Sequence, residues 1–323
     1  MGDERRLLQV ATRRQLFKNC GVGLGSIALT QLMDASHSTA IDSNGSLRVL
    51  HHPARAKNVI LLFMAGGPSQ LELFSHKPKL TEFHGKETPK EFIEGKRFSF
   101  LGKDAKLLGN TRKFKPCGES GAQISELLPN HQRIADKLCF VHGMSTDVFN
   151  HGPAKIFMNS GTPQPGRPSM GAWVSYGIGS ECENLPGFVV LQSGPRGPRA
   201  GAALWSSGFL PSRHQGVPFR SSGDPIVNLT SPQQFRGDRA RDFHDAVAEL
   251  NRQRLAAVGD REIETRIAAY EMAYRMQSSA PELMDIGDES QKTLDRYGAQ
   301  VGNASYANNC LLARRLVERG VRF

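Results

Sequence analysis

The sequence predicts an α/β layered fold, a mostly parallel sheet covered by helices, and three observations carry that prediction. Val59-Ile60-Leu61-Leu62-Phe63-Met64-Ala65 is a continuous apolar run stopped by Gly66-Gly67-Pro68. An unbroken apolar strand is what a parallel sheet with both faces covered requires. Two shorter apolar runs, at 138–142 and 188–191, repeat the signal. Segments of helical character alternate with these runs, the order that builds layered α/β domains.

Each element has its own local reason. Residues 78–121 are polar and rich in Lys and Gly, which predicts loops with a hairpin near 98–108. Residues 125–136 read as a helix with Leu127, Leu128 and Ile134 as its apolar contacts. Helices are predicted over 151–159, ended by Gly161, and over 169–177, where Pro168 precedes Ser169 as N-cap. Residues 193–225 form a long Gly/Pro/Arg-rich stretch that reads as a functional or packing loop rather than a linker. The last third is helical. Ser231-Pro232 is a cap signal, Val247, Leu250, Leu255 and Val258 follow one face, and Gly259 breaks it. Asp260 caps the next helix, with Ile263, Ile267, Tyr270 and Tyr274 at four-three-four spacing. Tyr306, Cys310, Ala313 and Val317 repeat that spacing, and Gly320 ends the helix. Val321-Arg322-Phe323 reads as the start of a strand, so the expectation is a sheet that continues past Phe323.

The first forty residues read as an export signal. Thr12-Arg13-Arg14-Gln15-Leu16-Phe17-Lys18 fits the twin-arginine pattern, a weakly apolar Gly-rich stretch follows, and Ser38-Thr39-Ala40 offers small residues for cleavage. The apolar stretch is too short to span a bilayer. The expectation is a signal peptide over 1–40 and a mature chain over 41–323, carried by the twin-arginine export machinery to the periplasm or cell envelope, with no membrane span.

The net charge of +10 favours anionic partners. Lys and Arg are scattered, with no aromatic-interleaved basic motif, so nucleic-acid binding is not supported. None of Cys20, Cys117, Cys139, Cys182 and Cys310 forms a Cys-x-x-Cys pair, which leaves zinc-knuckle and dithiol chemistry unsupported. Cys139 reads as a small core residue, and one disulfide with unassigned partners is open in an oxidising compartment.

The candidate site is Asn150-His151-Gly152-Pro153-Ala154-Lys155. The order of a Pro129-Asn130 helix, a strand, and this motif opening a helix resembles the sulfatase and alkaline-phosphatase superfamily. There the corresponding motif is Cys-x-Pro-Ser-Arg. His151 stands at the nucleophile's place, Pro153 matches, Ala154 replaces the Ser, and Lys155 replaces the Arg. A helix N-terminus favours a bound sulfate or phosphate through its free N–H groups, and a following cation clamps it.

Four segments are similar to a narrower family, the domain-of-unknown-function family fifteen-oh-one: residues 62–69, 150–154, 167–174 and 185–191. The segment 311–320 also looks like that family. The resemblance implies a three-layer α/β/α alkaline-phosphatase-like sheet, mostly parallel and incomplete at the C-terminus, with further Asp and His metal ligands after Phe323. It also implies a divalent metal, zinc, magnesium or calcium, with His151 and Glu72 as ligands and with His151, Asn150 and Lys155 as catalytic groups. The pattern departs at Gly66 and Gly67, where the superfamily places acidic ligands, and at Glu72 and Ser75, where the family carries Asp. Ordinary roles exist for each residue: His151 and Asn150 as helix-capping groups, and Lys155 and Glu72 as solvated side chains. Two functional expectations follow. One is an exported metal-dependent hydrolase of phosphate or sulfate esters; the other is a non-catalytic exported binding module for an anionic, sulfated polysaccharide.

Overall fold

A computed structural model describes residues 55–64, 67–95, 102, 104–193, 197–220, 225–226, 229 and 237–323. The export signal, His51-His52, the expected strand end at Ala65-Gly66 and the Ser231-Pro232 cap lie outside these. The chain divides into two compact units, Leu62–Lys155 and the flanking segments Met1–Leu61 with Ile156–Phe323.

The unit Leu62–Lys155 is made of short pieces. Helices α1 (Gln70–Leu73), α2 (Pro78–Glu82) and α3 (Lys90–Ile93) precede a hairpin, β1 (Phe114–Cys117) and β2 (Ala122–Ser125), and then α4 (Pro129–Arg133). The hairpin is antiparallel, with Phe114 opposite Ser125 and Cys117 opposite Ala122. Its inward residues Cys117 and Ile124 pack on Ala135 to form a small core. Helix α5 (His151–Ser160) starts in this unit and ends in the other.

The larger unit holds α6 (Met170–Ile178), β3 (Val189–Leu191), β4 (Val217–Phe219) and four C-terminal helices. These are α7 (Asp238–Val258), α8 (Arg261–Met284), α9 (Gln291–Tyr297) and α10 (Tyr306–Glu318). Strands β3 and β4 pair in parallel, Val189 opposite Val217 and Leu191 opposite Phe219. On the other side of β3, Val189 N–H donates to the Phe323 carbonyl at 2.9 Å and Phe323 N–H donates to Gly187 at 3.0 Å, the bonding pattern of parallel strands. Val59 N–H then donates to the Arg322 carbonyl at 2.9 Å. Leu185, Phe219, Met276, Leu283, Leu316 and Val321 share the main core. Leu294, Leu311 and Leu312 form a second core with Ile286.

This architecture overturns the expected three-layer, mostly parallel α/β sheet. The described residues hold two sheets of two strands each, and helix predominates. The run 59–64 is not a buried strand: its one ladder-like bond is at Val59, and Leu62 and Met64 are each 52% exposed. Apolar composition states a demand for burial, not a pairing partner, and a short apolar run does not reveal its secondary structure by periodicity. The run 138–142 forms no ladder either, and Cys139, expected in a core, is exposed. The expected helix over 125–136 is interrupted, because Ser125 closes β2 and α4 begins only at Pro129.

The predicted helices at 151–159 and 169–177 form as α5 and α6. Asp260 caps α8 by accepting from Glu262 N–H at 2.9 Å. Three faces differ from expectation, and on α8 Tyr270 is exposed while Met276, Ala280 and Leu283 reach the core. On α7, Leu250 and Val258 face solvent, and Ala240 is the buried residue. On α10 the buried residues are Asn308, Asn309, Leu311, Leu312, Arg315 and Leu316, while Tyr306 is exposed. The α10 face is half polar, and its polar members are bonded, the Asn309 amide to Ser193 Oγ at 2.6 Å, with the Asn309 Oδ1 atom left without a partner among the described residues. Asn308 engages Gln300, Asn303 and Ser305. Arg315 donates to the Leu283 carbonyl and to Asp288 and Glu289. Burial of such groups is tolerated only with partners of this kind. No helix among the described residues is long and apolar enough to cross a membrane.

Candidate functional site

Helix α5 opens where expected. Asn150 Oδ1 accepts from Gly152 N–H at 3.2 Å and its carbonyl accepts from Ala154 N–H at 2.9 Å, so Asn150 caps the helix. His151 is exposed, and Lys155 is half-buried in the second turn. Glu72 lies on α1, whose start is capped by Ser69 accepting from Leu71 N–H. The Glu72 Oε2 atom is buried without a hydrogen-bond partner, and Arg112 Nε lies 3.9 Å from it. Arg112 is itself placed by its N–H bond to Asn110 Oδ1, and the Asn110 amide donates back to the Leu71 carbonyl.

This placement does not fit the divalent-metal expectation. The buried Oε2 of Glu72 lies 3.9 Å from a guanidinium, which competes electrostatically with any metal cation. No hydrogen bond or ion pair joins Glu72 to His151, and no group of three or more His, Cys, Asp or Glu that could hold a metal forms among the described residues. The capping role for Asn150 is the one the geometry displays.

A second constellation lies in the larger unit, built where the Gly/Pro/Arg-rich stretch meets α6. Two hydrogen bonds staple the stretch to the helix. Ser169 N–H, at the helix start, donates to the Ser206 carbonyl at 2.9 Å. Ser175, two turns along, meets His214 Nδ1 at 3.1 Å, and both residues are buried. Between the staples the backbone is held tightly. Gly208 has φ +56°, and a Cβ there would stand 2.5 Å from the carbonyl carbon of Arg167 and from Pro168 N. Only glycine meets both demands. Gly208 N–H also donates to Ser206 Oγ at 3.0 Å.

The Ser175–His214 pair superficially resembles a nucleophile and its base. The second ring nitrogen decides against that role. Arg213 Nε donates to His214 Nε2 at 3.3 Å, so Nε2 accepts and the ring proton resides on Nδ1, donated to Ser175 Oγ. A protonated Nδ1 takes no proton from serine. Burial, and then the neighbouring Arg213 charge, lower the His214 pKa to about 4 and keep the ring neutral. His214 is therefore a structural clamp.

The clamp carries aromatic residues outward. Tyr176 meets the His214 ring edge-on at 5.4 Å, Trp173 meets Tyr176 at 6.2 Å, and Phe209 meets Trp173 at 5.7 Å with the planes at 73°. Trp173 is 45% exposed and Phe209 64%. Arg167, Arg199, Arg213 and Arg220 are all exposed. Sequence reasoning marked 193–225 as a functional or packing stretch but did not single out Trp173, Phe209 or His214. The available signal was a Trp three residues after Met170 and three before Tyr176, which puts all three on one face of α6.

The fold and this surface define a two-unit protein in which helix far outweighs strand, with a stapled, arginine-bearing loop. The chain belongs to the family described as Protein of unknown function (DUF1501), which it matches over residues 56–323. No curated protein and no solved structure matches the chain.

Proposed function

We propose that this protein binds an anionic, sulfated polysaccharide outside the cytoplasm, after export by the twin-arginine machinery. One observation carries the reading. Arg167, Arg199, Arg213 and Arg220 are exposed, and none has a carboxylate at ion-pair distance among the described residues. On the C-terminal helices Arg241, Arg252, Arg275, Arg314 and Arg315 each have one, while the exposed Arg239, Arg254, Arg266 and Arg296 have none among the described residues. Guanidinium groups match sulfate through paired N–H donors, and those without a carboxylate partner make that contact without breaking an ion pair. The net charge of +10 adds a long-range attraction for polyanions.

The test is titration of the full chain with a sulfated glycan at rising salt. Affinity is expected to fall steeply with ionic strength and to be indifferent to chelator and to His151→Ala. Absence of binding, or binding indifferent to salt, refutes the reading. Turnover of aryl phosphate or aryl sulfate by the same preparation, lost on chelation, would support the ester-hydrolase alternative instead.

A further inference from the structure

We propose that Trp173 and Phe209 form a corner that stacks one sugar ring of the polysaccharide, with the exposed Arg167, whose backbone lies against the Gly208 turn, and Arg213, bonded to His214, available to hold the ring's anionic substituents. This rests on the reading above that the ligand is an anionic polysaccharide, and it adds where the sugar sits and what recognises its uncharged face. The corner is geometric. An indole and a phenyl ring 5.7 Å apart with planes at 73° present two walls of an open angle, and both remain substantially exposed. A pyranose has one face of C–H groups carrying slight positive charge, which suits the electron-rich face of an aromatic ring. Its rim carries the hydroxyls and sulfates, which suit arginine.

The corner is also rigid, which limits the ordering cost of binding. Phe209 follows Gly208, whose backbone packs directly on Arg167 and Pro168. Leu210 N–H donates to the Ser207 carbonyl at 2.9 Å and closes the turn around Phe209. Trp173 N–H donates to the Ser169 carbonyl at 3.0 Å, in the first turn of α6, and Ser169 is stapled to Ser206. Arg213 is anchored through Nε to His214, whose ring abuts Tyr176. Charge alone attracts any polyanion, whereas the corner selects for one that offers a flat apolar face beside its charges. The acidic neighbour is Glu262, which accepts from Ser212 Oγ at 3.2 Å.

The chain has two tryptophans, and Trp205 is buried, so ligand-dependent emission reports on Trp173. The probes are a sulfated hexasaccharide and its desulfated counterpart, added to the full chain and to Trp173→Ala, Trp173→Phe, Phe209→Ala and Arg199→Gln/Arg220→Gln. Thermal melts confirm that each variant is folded. The expected result is quenching or a blue shift of the wild-type emission on binding. Trp173→Ala and Phe209→Ala are each expected to lose about tenfold in affinity with the salt slope unchanged, and Trp173→Phe to lose about threefold. Folded Trp173→Ala and Phe209→Ala variants that bind as tightly as wild type would overturn the corner. The polyanion reading would then stand if Arg199→Gln/Arg220→Gln weakens binding and lowers the salt slope. Failure of the wild type to bind the sulfated probe at all would remove both.

Discussion

Replacing Gly208 by alanine puts the loop geometry to a quantitative test. Two penalties are expected. The first is conformational: at φ +56° an L-residue costs about 1–2 kcal/mol. The second is steric: the new methyl would meet the Arg167 carbonyl carbon and Pro168 N at 2.5 Å, and both are backbone atoms that move only with the start of α6. Overpacking of this kind costs about 1–3 kcal/mol. Gly161 provides the control. Its φ is +75°, but a Cβ there would have nothing within 4 Å, so Gly161→Ala carries the first penalty alone. At about 3 °C per kcal/mol, the expected fall in Tm is about 9 °C for Gly208→Ala and about 4 °C for Gly161→Ala. Calorimetry or circular dichroism on the two variants reads the difference directly. Equal shifts would mean that Gly208 does not lie against Arg167 and Pro168, and the stapled loop would lose its main support.

Other consequences are open to measurement. Arg315→Met removes a guanidinium whose side chain is 4% exposed and leaves Glu289 and two backbone carbonyls without it. A loss of about 3–5 kcal/mol is expected in urea unfolding. His214, with a pKa near 4 in the fold and about 6.5 when unfolded, binds more protons in the unfolded chain. Its contribution to stability is full above about pH 6.5 and shrinks as pH falls from there toward about 4, and His214→Gln should flatten that part of a stability–pH curve. Ser305 accepts from Asn308 N–H at 3.1 Å and donates to Asn308 Oδ1 at 3.0 Å. Ser305→Ala should cost about 1 kcal/mol by the same urea assay.

The legible parts of this fold were those governed by local chemistry. Asp260 after Gly259 marks the junction of α7 and α8 because capping and chain reversal depend on neighbours in sequence. The Asn150 cap and the apolar β3 run were legible for the same reason. The hairpin β1–β2 was missed although Gly118-Glu119-Ser120-Gly121 punctuates it, because the flanking residues offer only a few apolar side chains. Faces of helices were misjudged where polar residues turn inward. The spacing Tyr306, Cys310, Ala313, Val317 pointed away from the true core face of α10, since pattern reading counts Asn308 and Arg315 as outward. Their inward placement depends on Gln300, Asn303, Asp288 and Glu289, partners that only the folded chain brings near. The aromatic corner was opaque for a similar reason, because Trp173 and Phe209 are joined by tertiary structure.

The bonds around residues 321–323 set an order of events during synthesis. The Asn58 amide donates to the Val321 carbonyl, 263 positions away, and Val59 and Val189 are both held by the carbonyls of Arg322 and Phe323. A nascent chain on the ribosome has no Val321 partner for residue 58 until 263 further residues have been translated, whereas Leu62–Lys155 is continuous and has its small core in hand much earlier. Closing so long a loop is entropically slow. The unit Leu62–Lys155 is therefore poised to mature first, and the other unit closes its own long-range bonds only once residues 321–323 have been made.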